Sequence, residues 1–466
     1  MASGKLLFIS FILLLTIRAF PQTDSAQIVS VKAAPNEAAA MIDDAKPLTL
    51  AEAIELALKQ ASNYKAVQIN EQIAAEDIKQ ARANFYPKIT AQPNLIYTSP
   101  SFQTTETLES ANGNITIARS RPPSFLGANA VTEYQAIINA AGEIDTSGKL
   151  KATLERSRAL LESARRGSEI ARLELVQTVA DAYFNLALAT TKRRGAEMNL
   201  AAAQEFEANT KLLLDAGEVA PVDLIRARLQ TAQRRDESAQ AQTDEIVSAD
   251  ALRFLVGFDF NAPVAAADLL LQLPLDNEIE RYTETAVASR PEFAQFEADK
   301  KVSEQDIKIA QADRRPQINY SVSSGFISDS LRPNRIANST GVQANVGVTI
   351  PIFDRGASRS RERQAKLKIE QTQINRRLAE RRFVQQFYAA RIQATAAAAR
   401  IRQLGDSIRD AEANLTASLA RYRAGEAAIN EVTDAQNLLI AQRQALYQAI
   451  FDYQTARARL LRAIGQ

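Results

Sequence analysis

Two spacings of hydrophobic and polar residues alternate along this chain. One is the helical period, with apolar positions three and four residues apart, and the other is the two-residue period of a half-buried strand. The helical pattern opens at Thr49-Leu50-Ala51-Glu52, a capping-box sequence, runs to about Phe85 and stops at Pro87. Less regular strand-like segments follow at Ile89 to Thr98 and at Val131 to Ala141, separated by a loop holding Gly113, Pro122 and Pro123. The helical period then occupies Lys149 to Leu214, and a return helix is expected from Pro221 to Val256.

The same succession comes a second time. A helix is expected from Asp276 to Arg314, broken or kinked at Pro291 and closed by Pro316. Strands are expected at Ile318 to Phe326 and Gly341 to Ile350. In the latter, Val342, Ala344, Val346, Val348 and Ile350 alternate with Gln343, Asn345, Gly347 and Thr349. A long helix from Ala357 to Arg423 and a return helix from about Ala428 to Leu461 close the chain. Each long helix spans about 100 Å at 1.5 Å per residue, longer than any compact domain holds. The first and last helices of the first copy, laid end to end, match one such rod.

The residues themselves repeat. Ala216-Gly217-Glu218 recurs 208 positions on as Ala424-Gly425-Glu426, and Val256-Gly257 aligns with Ile464-Gly465 at the same offset. The expected organisation is an internal duplication. The first repeat covers 48–257, with a β-hairpin at 88–143, a long helix at 149–214 and a return helix at 221–256. A linker at 258–275 leads to the second repeat at 276–466, with a β-hairpin at 317–352, a long helix at 357–423 and a return helix at 428–461. Ahead of both, Lys5, the apolar run Leu6 to Ile17 and the small residues Ser25 and Ala26 have the form of a secretory signal peptide over 1–26, followed by a flexible segment at 27–47. The apolar run is shorter than the ~20 residues of a spanning helix, so export is expected.

Composition narrows the chemistry. The 466 residues carry a formal charge of only +2 and contain neither cysteine nor histidine. That removes disulfides, thiolate or imidazole metal sites and the Ser-His-Asp triad. No Gly-rich phosphate loop or nucleophile–base pair is evident, so neither an enzyme nor a cofactor is expected. Between Arg355 and Arg402, thirteen Arg or Lys face three Glu. In an exported chain without a recognition motif, nucleic acid is not an expected partner. A solvated helix surface is the default for that run, and Arg355, Arg359, Arg361 and Arg363 lie where anionic head groups would meet the end of a membrane strand.

An alternating strand of about ten residues suits a tilted bilayer crossing, one face to lipid and one to a wet lumen. Four strands cannot close a barrel, and open edges are not tolerated in lipid, so the chain must assemble. Eight strands from two copies leave an interior filled by side chains; twelve from three copies are the smaller number compatible with a conduit.

Three short tags then stand in order within the duplication: Ala288-Ser289-Arg290-Pro291-Glu292, Pro351-Ile352-Phe353-Asp354-Arg355-Gly356 and Tyr422-Arg423-Ala424-Gly425-Glu426. In these the chain resembles the TolC-like outer-membrane efflux family. The resemblance implies a mostly α, mixed α and β membrane protein. Its long coiled-coil helices form a periplasmic α-barrel, and four strands per chain enter a homotrimeric, twelve-stranded transmembrane β-barrel. It further implies an exit duct of a tripartite efflux or type I secretion system in the outer membrane of a Gram-negative type cell, reaching into the periplasm. The implied partners are a periplasmic adaptor, an inner-membrane transporter and outer-membrane lipid. The alternative is a periplasmic coiled-coil adaptor or scaffold without a pore, which requires one long hairpin rather than two and no membrane strands.

Gly217 and Gly425 suit the left-handed position that ends a helix, and Pro221 suits the first turn of the next. By resemblance these tips, with Glu218 and Glu426, touch the adaptor, while Asp223, Tyr422, Glu431 and Asp434 form a periplasmic gate. Without the resemblance, Asp223, Glu431 and Asp434 only complement helix dipoles. Around an axis, Glu431 and Asp434 become stacked carboxylate rings that favour cations. The family pattern can carry an arginine where this chain has Ala427, and Arg421 and Arg423 stand nearby.

Overall fold

The structure, a computed structural model, describes residues 47–97, 108–110, 113–115, 132–271, 273–274 and 277–466. The expected signal peptide, the segment after it as far as residue 46, and Pro122 and Pro123 of the first loop lie outside the described residues. In chain order the principal helices are α1 (Leu50–Gln60), α2 (Ser62–Ala83), α3 (Lys149–Asp215), α4 (Pro221–Val256), α5 (Pro291–Ala312), α6 (Pro333–Ser339), α7 (Ala357–Arg423) and α8 (Ile429–Ala463). The long strands are β1 (Lys88–Tyr97), β2 (Thr132–Ile144), β3 (Gln317–Ser328) and β4 (Thr340–Thr349).

Helices α3 and α7 are each unbroken over 67 residues, about 100 Å. Neither contains proline, and both begin after a left-handed glycine, Gly148 at φ 81° and Gly356 at φ 83°. An aspartate satisfies the first turn of each. Asp145 accepts from the Leu150 and Lys151 amides at 3.1 and 2.9 Å, and Asp354 from those of Gly356 and Ser358 at 2.9 Å. These carboxylates occupy the end where free N–H groups and the helix dipole favour negative charge.

Two helices depart from the expectation. The segment from Thr49 to Phe85 is two helices, because Ala61 is extended at ψ 116°. The break lets α1 bury Ala53 and Ala57 in the main core while α2 runs on along α3. The capping box at its start is formed, with the Glu52 amide donating to Thr49 Oγ1 and the Thr49 amide to Glu52 Oε2. The segment from Asp276 to Arg314 is α-helical only from Pro291. Proline excludes Arg290 from the helical region and starts the helix instead of kinking it. Upstream, Ile279–Arg281 and Glu284–Ser289 form short 3₁₀ turns. There Ile279 enters the core, and Glu278 accepts from Tyr453 at 2.9 Å and Arg457 at 2.5 Å.

The main core lies midway along the rods. It gathers Val179 to Leu188 of α3, Phe387, Ala390 and Ala394 of α7, Leu252 and Val256 of α4, and Ile450, Tyr453 and Leu460 of α8. Along α7, Phe383, Phe387, Ala390, Ala394, Ala397, Ile401 and Leu404 are buried, in steps of four and three. That is the heptad spacing of a coiled-coil seam, and Ile450, Tyr453 and Leu460 of α8 belong to the same core. A two-residue parallel pairing of Pro47–Leu48 with Ala265–Ala266 is tied to α3 by Tyr183, whose hydroxyl donates to the Leu48 carbonyl at 2.9 Å and accepts from the Ala267 amide at 3.0 Å.

The four long strands form one antiparallel sheet in the order β1-β2-β3-β4. The sheet lies at one end of the rods and the α3–α4 and α7–α8 turns at the other. No helix among the described residues is long and apolar enough to cross a membrane.

Candidate functional site

Register gives the sheet two unlike faces. Residues paired directly across antiparallel strands share a face. One row runs Ile89, Ala140, Val322, Ala344, and another Ala91, Ile138, Ser324, Val342. Ile144, Ile318 and Val348 continue that face toward the rods, and Leu95, Tyr97 and Tyr134 continue it toward the far end. The opposite face carries the row Thr90, Asn139, Ser323, Gln343, with Ser323 Oγ donating to Asn139 Oδ1 at 3.1 Å. Pairing thus reveals in β1 and β2 the alternation that their sequences show less clearly than β4. The outer edges of β1 and β4 pair with no other strand of the described chain.

At the other end the two turns are built alike. After α3 the Gly217 amide donates to Leu214 O and the Glu218 amide to Leu213 O, both at 2.9 Å. After α7 the Gly425 amide donates to Tyr422 O at 3.0 Å and the Glu426 amide to Arg421 O at 2.9 Å. This is the Schellman closure, with left-handed glycines at φ 78° and 74°. Gly217, Glu218, Gly425 and Glu426 are all exposed at the tips. Pro221 and Ile429 then start the return helices, so Asp223 and Glu431 occupy equivalent third positions.

A second, smaller core joins the turns: Phe206 and Ala227 from the first, Tyr422, Ile429 and Val432 from the second. Tyr422, expected at a gate, is only 8% exposed in the single chain and stacks at a tilt on Phe206 with ring centroids 5.8 Å apart. Burial pushes its phenol pKa up, and its hydroxyl lies toward Thr210 without completing a hydrogen bond. Asp223 is half-buried and 4.0 Å from Arg226, whereas Asp434 is exposed. Glu431 accepts from Arg421 at 2.5 Å, so an arginine does reach the acidic pair, from the end of α7 and not from position 427.

Sequence reading missed the polar links between the return helices. Arg226 donates to Asn430 at 3.2 Å, Gln230 to Gln436 at 2.6 Å, and Arg234 to Asn437. The 208-residue offset was the available signal, since it aligns the two return helices position for position. Also missed was the role of Arg290 and Glu292. Arg290 lies 3.7 Å over the Phe383 ring, and Glu292 accepts from Arg290 and Arg462, each at 2.7 Å. Burial alone would raise the Glu292 pKa, but the two guanidinium hydrogen bonds outweigh it and hold the carboxyl at about 2.

The family model described as outer membrane efflux protein matches residues 53–258 and 283–466. The cation efflux system protein CusC of Escherichia coli K12 is 26% identical over 353 residues, 73% of this chain and 74% of that protein. Among solved structures, CusC superposes with a TM-score of 0.75 at 20% identity, covering 89% of this chain and 91% of the other. The Campylobacter jejuni CmeC outer membrane channel superposes with a TM-score of 0.75 at 17% identity, covering 89% and 85%.

Proposed function

Since the chain belongs to the outer membrane efflux protein family, we propose that it is the outer-membrane exit duct of a tripartite efflux or type I secretion system, conducting its cargo passively. Three copies would join β4 of one to β1 of the next and close a twelve-stranded barrel, with the rods forming a periplasmic α-barrel. The observation that carries this reading is the sheet: a continuous apolar face, a polar face and two edges unpaired among the described residues, a combination that lipid accepts only in a closed assembly. The pore-free adaptor is disfavoured by the same sheet and by the presence of two long hairpins.

Gly217, Glu218, Gly425 and Glu426 would meet the adaptor, which links the duct to an inner-membrane transporter. Asp223, Tyr422, Glu431 and Asp434 would form the periplasmic gate. Relatives include a cation efflux protein and a pyoverdine exporter. This chain has no histidine or cysteine and three methionines, so its wall offers a soft metal ion no imidazole or thiolate, and selection of cargo falls to the transporter. Native mass spectrometry of the detergent-solubilised mature chain, paired with planar-bilayer conductance, tests the reading. A trimer that conducts is expected; a monomer that conducts would overturn it.

A further inference from the structure

The junction between β4 and α7 combines two features that the duct itself does not require. The lipid-side row Val346, Val348 continues past the strand as Ile350 and Ile352. Ile352 is 93% exposed and Phe353 82% exposed, so an apolar pair stands uncovered where the strand leaves the sheet. Directly beyond it lie Arg355, in the turn ahead of α7, and Arg359 and Arg363, four residues apart on one face of the helix.

None of these three arginines forms an ion pair among the described residues, although carboxylates are near. Asp354 is committed to the Gly356 and Ser358 amides, and Glu362 to Arg314 at 2.5 Å and Lys366 at 2.8 Å. The arginines line an open cleft of about 730 Å³. Arg355 holds φ 52°, a left-handed conformation that long side chains seldom adopt. Uncovered apolar side chains beside free guanidinium groups match the two halves of one ligand, an acyl chain and a phosphate.

We propose that Arg355, Arg359 and Arg363, with Ile352 and Phe353, form a binding site for an anionic phospholipid of the periplasmic leaflet. The leaflet follows from topology: the cluster is at the rod end of the sheet, and the rods extend into the periplasm. Guanidinium forks bind phosphate oxygens in a bidentate manner, and each basic group near an anionic surface favours it several-fold. The inference rests on the membrane-duct reading above.

The chain lacks tryptophan, so Phe353→Trp provides a single reporter in the full-length protein reconstituted in liposomes. Quenching by phospholipids brominated near the head group, in place of those brominated near the chain end, is expected. With brominated phosphatidylglycerol diluted into unbrominated phosphatidylethanolamine, and the reverse, the relative affinity should favour phosphatidylglycerol by about five-fold or more. Adding Arg355→Gln, Arg359→Gln and Arg363→Gln should bring the ratio to about one, with trimer content and conductance kept. Inorganic phosphate at matched ionic strength should leave the wild-type ratio unchanged. Equal affinities in the wild type, an unchanged ratio in the triple variant, or loss of preference with free phosphate each overturn the lipid site. A reporter unquenched by either lipid in a conducting trimer means that a neighbouring copy covers the surface, which also overturns it while leaving the duct intact. Loss of insertion and conductance in the wild type would instead sink the duct reading.

Discussion

Glu292 shows how one carboxylate can hold distant parts of the chain together. It accepts hydrogen bonds from Arg290 beside it and from Arg462 in the last turn of α8, while Gly465, at φ 82°, brings the chain end against Arg290. With its pKa held at about 2 against an ordinary 4.5, it contributes stability that is full above about pH 4.5 and is lost as pH falls toward 2. The depression corresponds to on the order of 3 kcal/mol. Glu292→Gln should therefore lower the melting temperature of the solubilised protein at pH 7, and its difference from wild type should shrink as pH falls from 4.5 to 2. A difference independent of pH would assign the loss to packing alone. Gly325 is constrained by space instead. A Cβ there would strike the Ala136 carbonyl oxygen and crowd Ile137 Cα at 2.8 Å on the neighbouring strand. Gly325→Ala should reduce the yield of heat-resistant assembled protein, measured by unboiled gel electrophoresis, and Gly347→Ala on β4, where no atom of the described residues lies within 4 Å, should not.

At the scale of elements, the strands carry the most exposed prediction. Single cysteines can be read cleanly in this Cys-free chain. Gln343→Cys and Asn345→Cys should react with a water-soluble maleimide in intact liposomes, and Val342→Cys and Val346→Cys should be protected. Equal reactivity of the two sets would mean that the sheet does not separate lipid from water. The long helices were legible because their ends are punctuated chemically, by Gly148, Ala216-Gly217, Gly356 and Ala424-Gly425, and no proline interrupts them. The expected span from Lys149 to Leu214 compares with Lys149–Asp215, and that from Ala357 to Arg423 is the same in the structure. The shorter helices were less legible for a physical reason. At Ala61 no breaker residue marks the turn, which tertiary burial of Ala53 and Ala57 imposes. Before Pro291, helix-compatible residues are drawn into 3₁₀ turns by the anchoring of Ile279 and Glu278. Of the candidate gate residues, position was readable and partnership was not. The 208-residue offset located Asp223 and Glu431, but only packing in three dimensions places Tyr422 on Phe206 and Arg421 on Glu431.

For the whole molecule, symmetry decides what the tip carboxylates do. In one chain Glu431 is matched by Arg421, an exposed pair worth about 0.2–1 kcal/mol, and Asp434 faces solvent. If both residues only complement the dipole of α8, neutralising either costs a few tenths to about 1 kcal/mol and leaves conduction unchanged. If three copies surround an axis, the arginine ring offsets the Glu431 ring, and Asp434 supplies the uncompensated charge. The three variants then separate by sign. Asp434→Asn should reduce cation preference, measured as the reversal potential across a potassium chloride gradient in a planar bilayer. Glu431→Gln, which also removes one negative charge per chain and leaves Arg421 opposing Asp434, should reduce it similarly, whereas Arg421→Gln should increase cation preference by freeing Glu431. Glu76→Gln, on α2 and far from the tips, is the reference and should behave as wild type. Opposite shifts for Glu431→Gln and Arg421→Gln require the pair to lie in the ion path, because loss of a merely structural contact would move both variants in the same direction. Identical reversal potentials in all three, in a channel shown to be trimeric, would remove Glu431 and Asp434 from the gate and leave Asp223 and Tyr422 as the residues to test there.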